Sequence, residues 1–242
     1  NYKIINNIFD NQKTMGVSLT QIRDPYLSFN KVINTLGYRR FVGFNFQNCG
    51  NSIFVSKNSI DITNGIGITS NSAYYSNLPR TKIYNNRINI TNGDTLNVGL
   101  NLTSANYFNI YHNTVLVTST STLSSCIAMP NGAYTSTLSN NIFYNKGSGS
   151  AITGNIYSVD SDYNSLYTAN SNNTINAGTM YSLNAWQTYS TREIHSVGYK
   201  PLLVSNTDLH VANDFSQNLI LPYKAEVPDD IENTVRDNAS PY

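Results

Sequence analysis

The chain carries little charge for its length. Its 242 residues include 15 Lys and Arg and 14 Asp and Glu. Charged residues therefore make up 12% of the sequence, against roughly 25% in an average globular chain. The charges are scattered and sum to +1, without the basic stripe that nucleic-acid binding requires. We therefore expect no nucleic acid among the partners.

Long apolar runs and cysteine motifs are also lacking. No run approaches the roughly 18 to 20 apolar residues that cross a bilayer, so we predict no membrane span. No charged-then-apolar leader opens the chain, and residues 1–5 already look like part of a repeat. We expect a trimmed fragment that has lost its export signal. Cys49 and Cys126 belong to no C-x-x-C motif and have no histidine nearby, which argues against a metal site built on them.

Asparagine and tyrosine are abundant instead. About one residue in six is Asn, and there are 18 Tyr. Planar amides and flat aromatic rings suit contacts with sugars. We predict a secreted or cell-surface protein whose partner is a polysaccharide or cell-surface glycan. The alternative is that these residues simply fill turns and strands.

A six-residue pattern recurs along the chain: an apolar residue, two variable positions, Asn, any residue, then Ile or Val. Clear copies are Val55–Ile60, Ile83–Ile88 and Ile110–Val115. Together with looser copies, the marked asparagines are Asn6, Asn30, Asn58, Asn86, Asn113, Asn140 and Asn164. Their spacing is 24 to 28 residues. Where two asparagines are adjacent, the register is open by one residue.

Short alternating stretches lie between the marked asparagines. Examples are Val42–Phe46, Gly65–Thr69, Val98–Leu102 and Cys126–Met129. Alternation with a period of two is typical of half-buried strands, and a propeller blade would need about 40 residues. We predict an all-β fold, a right-handed parallel β-helix (a solenoid) of about seven rungs. Residues 1–180 would form the rungs, and 181–242 the last rung and a C-terminal cap.

In such a solenoid the marked asparagines would stack about 4.8 Å apart and hydrogen-bond in a structural ladder. Cys49 and Cys126 would lie about three rungs, or roughly 14 Å, apart. A disulfide requires Cα atoms within about 7 Å. We therefore expect two buried thiols that are not bonded to each other.

The rhythm changes after about residue 166. Leu183–Gln187, preceded by Ser182, predicts a short capped helical turn. Residues 204–211 are predicted to form one more strand. Residues 222–241, rich in Asp, Glu, Asn and Pro, are predicted to wrap over the open end of the solenoid.

Most of the chain resembles the right-handed β-helix proteins exported by Bacteroidetes and related bacteria. The resemblance rests on Asp162–Leu166, Trp186-Gln187, His195-Ser196, Lys200–Leu202, Asp208–Val211, Asp229–Glu232, Arg236 and Ser240–Tyr242. It implies export, often a carbohydrate context, and further residues after Tyr242. It does not imply an activity, because this fold hosts enzymes, adhesins and passive stalks alike.

The sequence predicts one candidate binding surface and no catalytic residue. A glycoside hydrolase needs carboxylates on neighbouring rungs, and the only Asp-Asp pair, Asp229-Asp230, falls in the predicted cap. A polysaccharide lyase needs a base, with a cation or Ca²⁺ to neutralise the uronate carboxylate; no other cofactor and no metal site is predicted. Residues flanking the ladder should face outward. They give the candidate glycan-binding residues Lys31, Lys57, Arg87 and His112, with Asp61 and Tyr111 beside them.

Three hypotheses follow. The first is a structural, adhesive or glycan-contacting module without turnover chemistry, which could adjoin other domains of a longer surface protein. The second is a lyase acting on a uronate-containing glycan at the Lys57, Arg87 and His112 face. The third is a trimeric tail-fibre protein that binds a host glycan.

Overall fold

The structure, a computed structural model, describes residues 2–50, 52–71, 80–91, 96–104, 106–212 and 222–236. Within these residues the strands are, in chain order, β1 (Lys3–Ile5), β2 (Ile8–Asp10), β3 (Met15–Thr20), β4 (Tyr26–Ser28), β5 (Lys31–Asn34), β6 (Phe41–Gln47), β7 (Phe54–Ser56), β8 (Ser59–Ile62), β9 (Gly65–Asn71), β10 (Thr81–Tyr84), β11 (Arg87–Thr91), β12 (Val98–Leu102), β13 (Phe108–Tyr111), β14 (Thr114–Thr118), β15 (Ser125–Met129), β16 (Thr137–Ser139), β17 (Ile142–Asn145), β18 (Ser150–Gly154), β19 (Asp160–Asp162), β20 (Ser165–Thr168), β21 (Ile175–Asn176) and β22 (Met180–Tyr181). A 3-10 helix covers Ser171–Asn173, and an α-helix, α1, covers Leu183–Ser190. Among these residues no helix is long and apolar enough to cross a membrane.

The strands form three sheets that run the length of a parallel β-solenoid. Sheet A has the order β1-β4-β7-β10-β13-β16-β19, sheet B the order β2-β5-β8-β11-β14-β17-β20, and sheet C the order β3-β6-β9-β12-β15-β18-β21-β22. Each turn of about 23 to 28 residues gives one strand to each sheet, and β22 alone among these pairs antiparallel, with β21. The predicted all-β solenoid is confirmed, with about six turns.

Alternate residues of each strand point into a single core. In sheet A the inward column is Leu27, Val55, Ile83, Ile110 and Leu138, all fully or almost fully buried. The four alternating stretches picked out from the sequence all lie in strands of sheet C. Each buried aliphatic side chain contributes about 1.5 to 3 kcal/mol of burial free energy, so the repeat is held mainly by its core.

A glycine column lets sheet C approach sheet B closely. Gly43, Gly67 and Gly99 share one register position in β6, β9 and β12. A Cβ atom on Gly67 would lie 2.6 Å from the Gly99 carbonyl oxygen and 2.6 Å from Cγ2 of Ile88. The β-branched column of sheet B therefore occupies the space that a side chain on sheet C would need.

An asparagine ladder follows the bend between sheets A and B. Its members are Asn7, Asn30, Asn58, Asn86, Asn113, Asn141 and Asn164. Each Oδ1 accepts the side-chain Nδ2–H of the preceding member at 2.9 to 3.2 Å and its backbone N–H at 2.9 to 3.1 Å. The prediction is confirmed at five of its seven positions, from Asn30 to Asn113 and at Asn164.

At the other two positions the prediction was wrong by one residue. The ladder uses Asn7 and Asn141, whereas Asn6 and Asn140 precede them with φ angles of 59° and 61°. The residue before every ladder member has this left-handed conformation, which asparagine tolerates better than most residues. Both positions of the bend favour Asn for different reasons, so the repeat alone did not separate them.

The last turn of the solenoid is covered by α1. Ser182 caps the helix as predicted, because its Oγ accepts the backbone N–H of Ala185 at 3.2 Å. Leu183 and Trp186 are buried and join the solenoid core. The helix therefore shields the apolar end of the stack.

Glu193 terminates the ladder. Its buried carboxyl group accepts Nδ2–H of Asn164 at 3.1 Å and the hydroxyls of Ser161 and Ser196. The Ser196 hydroxyl also accepts the backbone N–H of Asn164 at 2.8 Å, as a further ladder oxygen would. Burial raises the pKa of Glu193 above its usual 4.5, although these donors oppose the rise.

The raised pKa of Glu193 predicts how the stability difference between the wild type and Glu193→Gln depends on pH. The folded protein binds the Glu193 proton more tightly than the unfolded chain does, so this residue favours folding increasingly as the pH falls towards 4.5. The free energy of unfolding of the wild type, relative to Glu193→Gln, should therefore rise between pH 7.5 and pH 5. Urea unfolding at several pH values measures it, and a constant difference between the two proteins would refute the role.

Two described segments after α1, residues 203–211 and 222–236, lie along the side of the solenoid. The predicted strand over 204–211 is wrong: these residues turn back, and Leu203 and Val211 form only an isolated antiparallel bridge. A turn forms here instead of a strand because Ser205 Oγ accepts the backbone N–H groups of Thr207 and Asp208. We call residues 203–211 the hairpin.

Residues 222–236 do not wrap over the open end, and that prediction was wrong. They lie along the bend between sheets A and B, from Asn140, which donates to the Pro222 carbonyl, to Lys57, which donates to Asn233. These residues lie along the bend because their acidic side chains are attracted to the basic side chains that line it. We call residues 222–236 the acidic strap; residues 213–221 and 237–242 of the predicted cap lie outside the described residues.

Both cysteines are buried in the core and form no disulfide, as predicted. Cys126 follows the glycine column in β15, while Cys49 follows β6. Burial raises the pKa of both thiols, so neither is poised as a nucleophile.

Candidate functional site

The six candidate residues lie outside the core, around the bend between sheets A and B. They fall into two groups: Lys31, Asp61 and Arg87 on sheet B, and Lys57, Tyr111 and His112 at the ends of sheet A strands. The outward alignment of Lys31 and Arg87 across β5, β8 and β11 follows the predicted register. The two groups do not share one open face, because the acidic strap covers the second.

Lys57 is engaged by the strap. Its Nζ lies 2.7 Å from Asp229 Oδ2 and donates to Asn233 Oδ1 at 2.7 Å. The Lys57 side chain is only 8% exposed and also lies 5.2 Å above the Phe29 ring. A ligand would have to displace the strap to reach it.

Tyr111 and His112 are also beneath the strap. Lys224 lies 5.2 Å above the Tyr111 ring, and burial, followed by the charge of Glu226, raises the pKa of Tyr111 to about 12. Burial, followed by the charges of Arg236 and Lys224, lowers the pKa of His112 to about 3. Neither side chain is tuned to the near-neutral range that suits a general base.

The sheet B group lines a cavity of about 360 Å³, which we call the hairpin cavity. Its walls are Lys31, Ser59, Asp61, Arg87, Thr207, Asp208, Leu209 and His210. Solenoid strands supply one side, and the hairpin supplies the other. Leu209 fixes the hairpin by packing on Leu116 and Tyr144 of sheet B.

Charges in the hairpin cavity are balanced. Lys31 and Arg87 are positive, while Asp61 and Asp208 are negative. Hydrogen bonding to Asp208, and then to Glu232, raises the pKa of His210 above 6.5. Asp61 accepts the Ser59 hydroxyl at 3.2 Å and Asn89 Nδ2–H at 3.3 Å, which fixes its carboxylate at the cavity wall. From the sequence, His210 was predicted to lie in the cap. It was missed as a site residue because only the fold brings it beside Arg87.

A second, larger concavity of about 840 Å³ lies farther along the solenoid. It is lined by Thr91, Thr118, Ser119, Thr120, Thr122, Lys146, Gly147, Ser148, Ala169, Asn170 and Asn206. Lys146 donates to Asn206 at 3.3 Å across this concavity. The Thr and Ser run at 118–122 was the signal for this groove, which sequence reasoning missed.

Metal and triad chemistry find no support in the part of the chain that the structure describes. There, no three His, Cys, Asp or Glu side chains form a group that could hold a metal ion. Asp162 lies 2.7 Å from His195 Nδ1, but it also accepts the backbone N–H groups of Tyr163 and His195. The Tyr163 ring stacks on His195 at 4.5 Å, which indicates a structural corner.

Comparisons with protein-family models, curated proteins and solved structures gave no significant match to this chain. The β-helix fold is therefore shown for this chain, whereas its resemblance to the exported bacterial proteins stays a prediction.

Proposed function

We propose that this chain is a secreted or cell-surface module that contacts glycans through the outer face of sheet B, without turnover chemistry of its own. The hairpin cavity is the observation that carries this proposal. It gathers Lys31, Asp61 and Arg87, three of the six residues predicted from the repeat, with His210 opposite them.

The ligand class follows from the cavity walls. Hydroxyl, carboxylate, guanidinium and imidazole groups supply both donors and acceptors, as the hydroxyls of a sugar require. The balanced charges suit a neutral saccharide better than a polyuronate. No observation supports the lyase alternative, because His112 and Lys57 lie beneath the strap.

Binding to neutral oligosaccharides tests the proposal. Arg87→Gln should lower the affinity for a bound saccharide about ten-fold, because one charge-assisted hydrogen bond of roughly 1.4 kcal/mol is lost. Arg39→Gln, in the exposed turn before β6, is the matched control and should bind as the wild type does. Microcalorimetry against a panel of neutral oligosaccharides measures both.

Two outcomes would refute the proposal. One is the absence of binding to every saccharide of the panel, and the other is equal affinity for wild type and Arg87→Gln. Ultraviolet absorbance from unsaturated uronate products on pectate or alginate would overturn its non-catalytic part.

A further inference from the structure

The acidic strap seats its carboxylates on donors that the solenoid provides. The Glu226 carboxylate lies 3.0 Å from Lys82 Nζ and accepts Asn109 Nδ2–H at 3.2 Å. After burial, the charge of Glu226 is the next cause that raises the pKa of Tyr111, so the phenol also lies near this carboxylate. A cation and an amide thus converge on one anionic group, which is how proteins recognise a carboxylate.

Two further seats follow along the bend. Asp229 lies 2.7 Å from Lys57, and its backbone carbonyl accepts Asn85 Nδ2–H at 2.7 Å. Glu232 lies 3.4 Å from Arg87 and 2.9 Å from His210. We call the surface around the Glu226 and Asp229 seats the carboxylate strip. Its members are Lys57, Lys82, Asn85, Asn109 and Tyr111. It spans three turns, from β7 to β13.

The strap is held on this strip mainly by polar contacts. Its described residues pair with no sheet strand, and only Val227 and Arg236 among them are buried. Ion pairs exposed to water contribute about 0 to 1 kcal/mol each and weaken with salt. The Lys82–Glu226 pair belongs to this class, with side chains 31% and 34% exposed. A polymer bearing many carboxylates could therefore compete for the same seats.

We propose that the carboxylate strip is a second binding site, for an acidic polysaccharide, and that the acidic strap occupies it as an internal ligand. This inference goes beyond the hairpin cavity and its neutral ligand. The strap masks the site in the isolated chain, and an acidic polysaccharide binds by displacing it. The strip thereby recovers the predicted role of Lys57 and Tyr111, which the strap hides.

Polygalacturonate is the probe, with neutral dextran beside it. Glu226→Gln/Asp229→Asn weakens the strap at two carboxylates that do not line the hairpin cavity, so affinity for polygalacturonate should rise at least ten-fold at low salt. The gain should vanish as ionic strength increases, and adding Lys57→Gln/Lys82→Gln should abolish it. Asp10→Lys changes the net charge equally at an exposed site in β2 and should leave the affinity unchanged.

Hydrogen exchange of the wild-type chain keeps the proposal testable if the strap variant does not fold. Saturating polygalacturonate should speed exchange within residues 222–236, and dextran should not. Unchanged exchange, an equal gain in the charge-matched control, or the same response to duplex DNA of similar charge would each overturn the proposal. Failure of neutral saccharides to bind the hairpin cavity would leave these results unaffected.

Discussion

Asn86→Leu is expected to lower the free energy of unfolding by about 4 kcal/mol. Asn86 Oδ1 accepts two N–H groups of Asn58. Its two Nδ2 hydrogens are shared among the Val55 and Tyr84 carbonyls and Asn113 Oδ1, which makes four hydrogen bonds in the buried ladder. Each contributes about 1 kcal/mol net, and their buried partners cannot turn to water instead. A loss of this size approaches the total stability of many domains, about 5 to 15 kcal/mol.

The ladder provides its own control for this prediction. Asn7 is the first member, is exposed, and uses its side chain only as a donor, to Asn30 and the Ile5 carbonyl. Water can replace both bonds, so Asn7→Leu should cost less than about 1 kcal/mol. Urea unfolding followed by circular dichroism compares the two variants. Similar costs for both would show that the ladder does not stabilise the stack.

The acidic strap is expected to loosen in mild acid because of His112. Asn140 Nδ2 donates to both the Pro222 carbonyl and His112 Nε2, at 2.8 and 3.1 Å. A carbonyl only accepts, so this orientation requires an unprotonated Nε2 and a neutral imidazole. Arg236 and Lys224, the charged groups of the strap that face His112, oppose its protonation further.

The sign of the pH effect follows from the two pKa values. Folding lowers the pKa of His112 from 6.5 to about 3, so its stabilising contribution is complete above about 6.5 and is lost as the pH falls towards 3. The loss is on the order of 2 kcal/mol at pH 5, before the folded-state pKa is reached. Hydrogen exchange in residues 222–236 should therefore accelerate between pH 6.5 and pH 5, after correction for intrinsic rates.

His112→Asn is the matched variant for this test. His112 has a φ angle of 52°, and asparagines already occupy the equivalent positions 85 and 140 at 54° and 61°. The substitution thus adds no backbone strain but removes the titrating group. In His112→Asn, hydrogen exchange within the strap should show little pH dependence over the same range. A wild type and variant with the same pH profile would contradict the role of His112.

The repeat determined most of the fold by itself. Turn length, the ladder spacing and the strands of sheet C are periodic features of adjacent residues, so they are visible without any tertiary contact. The buried thiols Cys49 and Cys126 followed from the same spacing. The Ser182 cap was equally local. Only the choice between neighbouring asparagines, such as Asn140 and Asn141, needed the backbone conformation.

The candidate sites were decided by contacts between distant parts of the chain. Asn85 meets Asp229 across 144 residues, and Lys57 meets Asn233 across 176. No periodicity connects the strap or the hairpin to the turn that each covers. The sequence by itself therefore determined the solenoid and the outward rows of Lys31, Lys57 and Arg87. The tertiary structure alone decided which of these side chains face solvent, because that depends on where the acidic strap finds complementary charge.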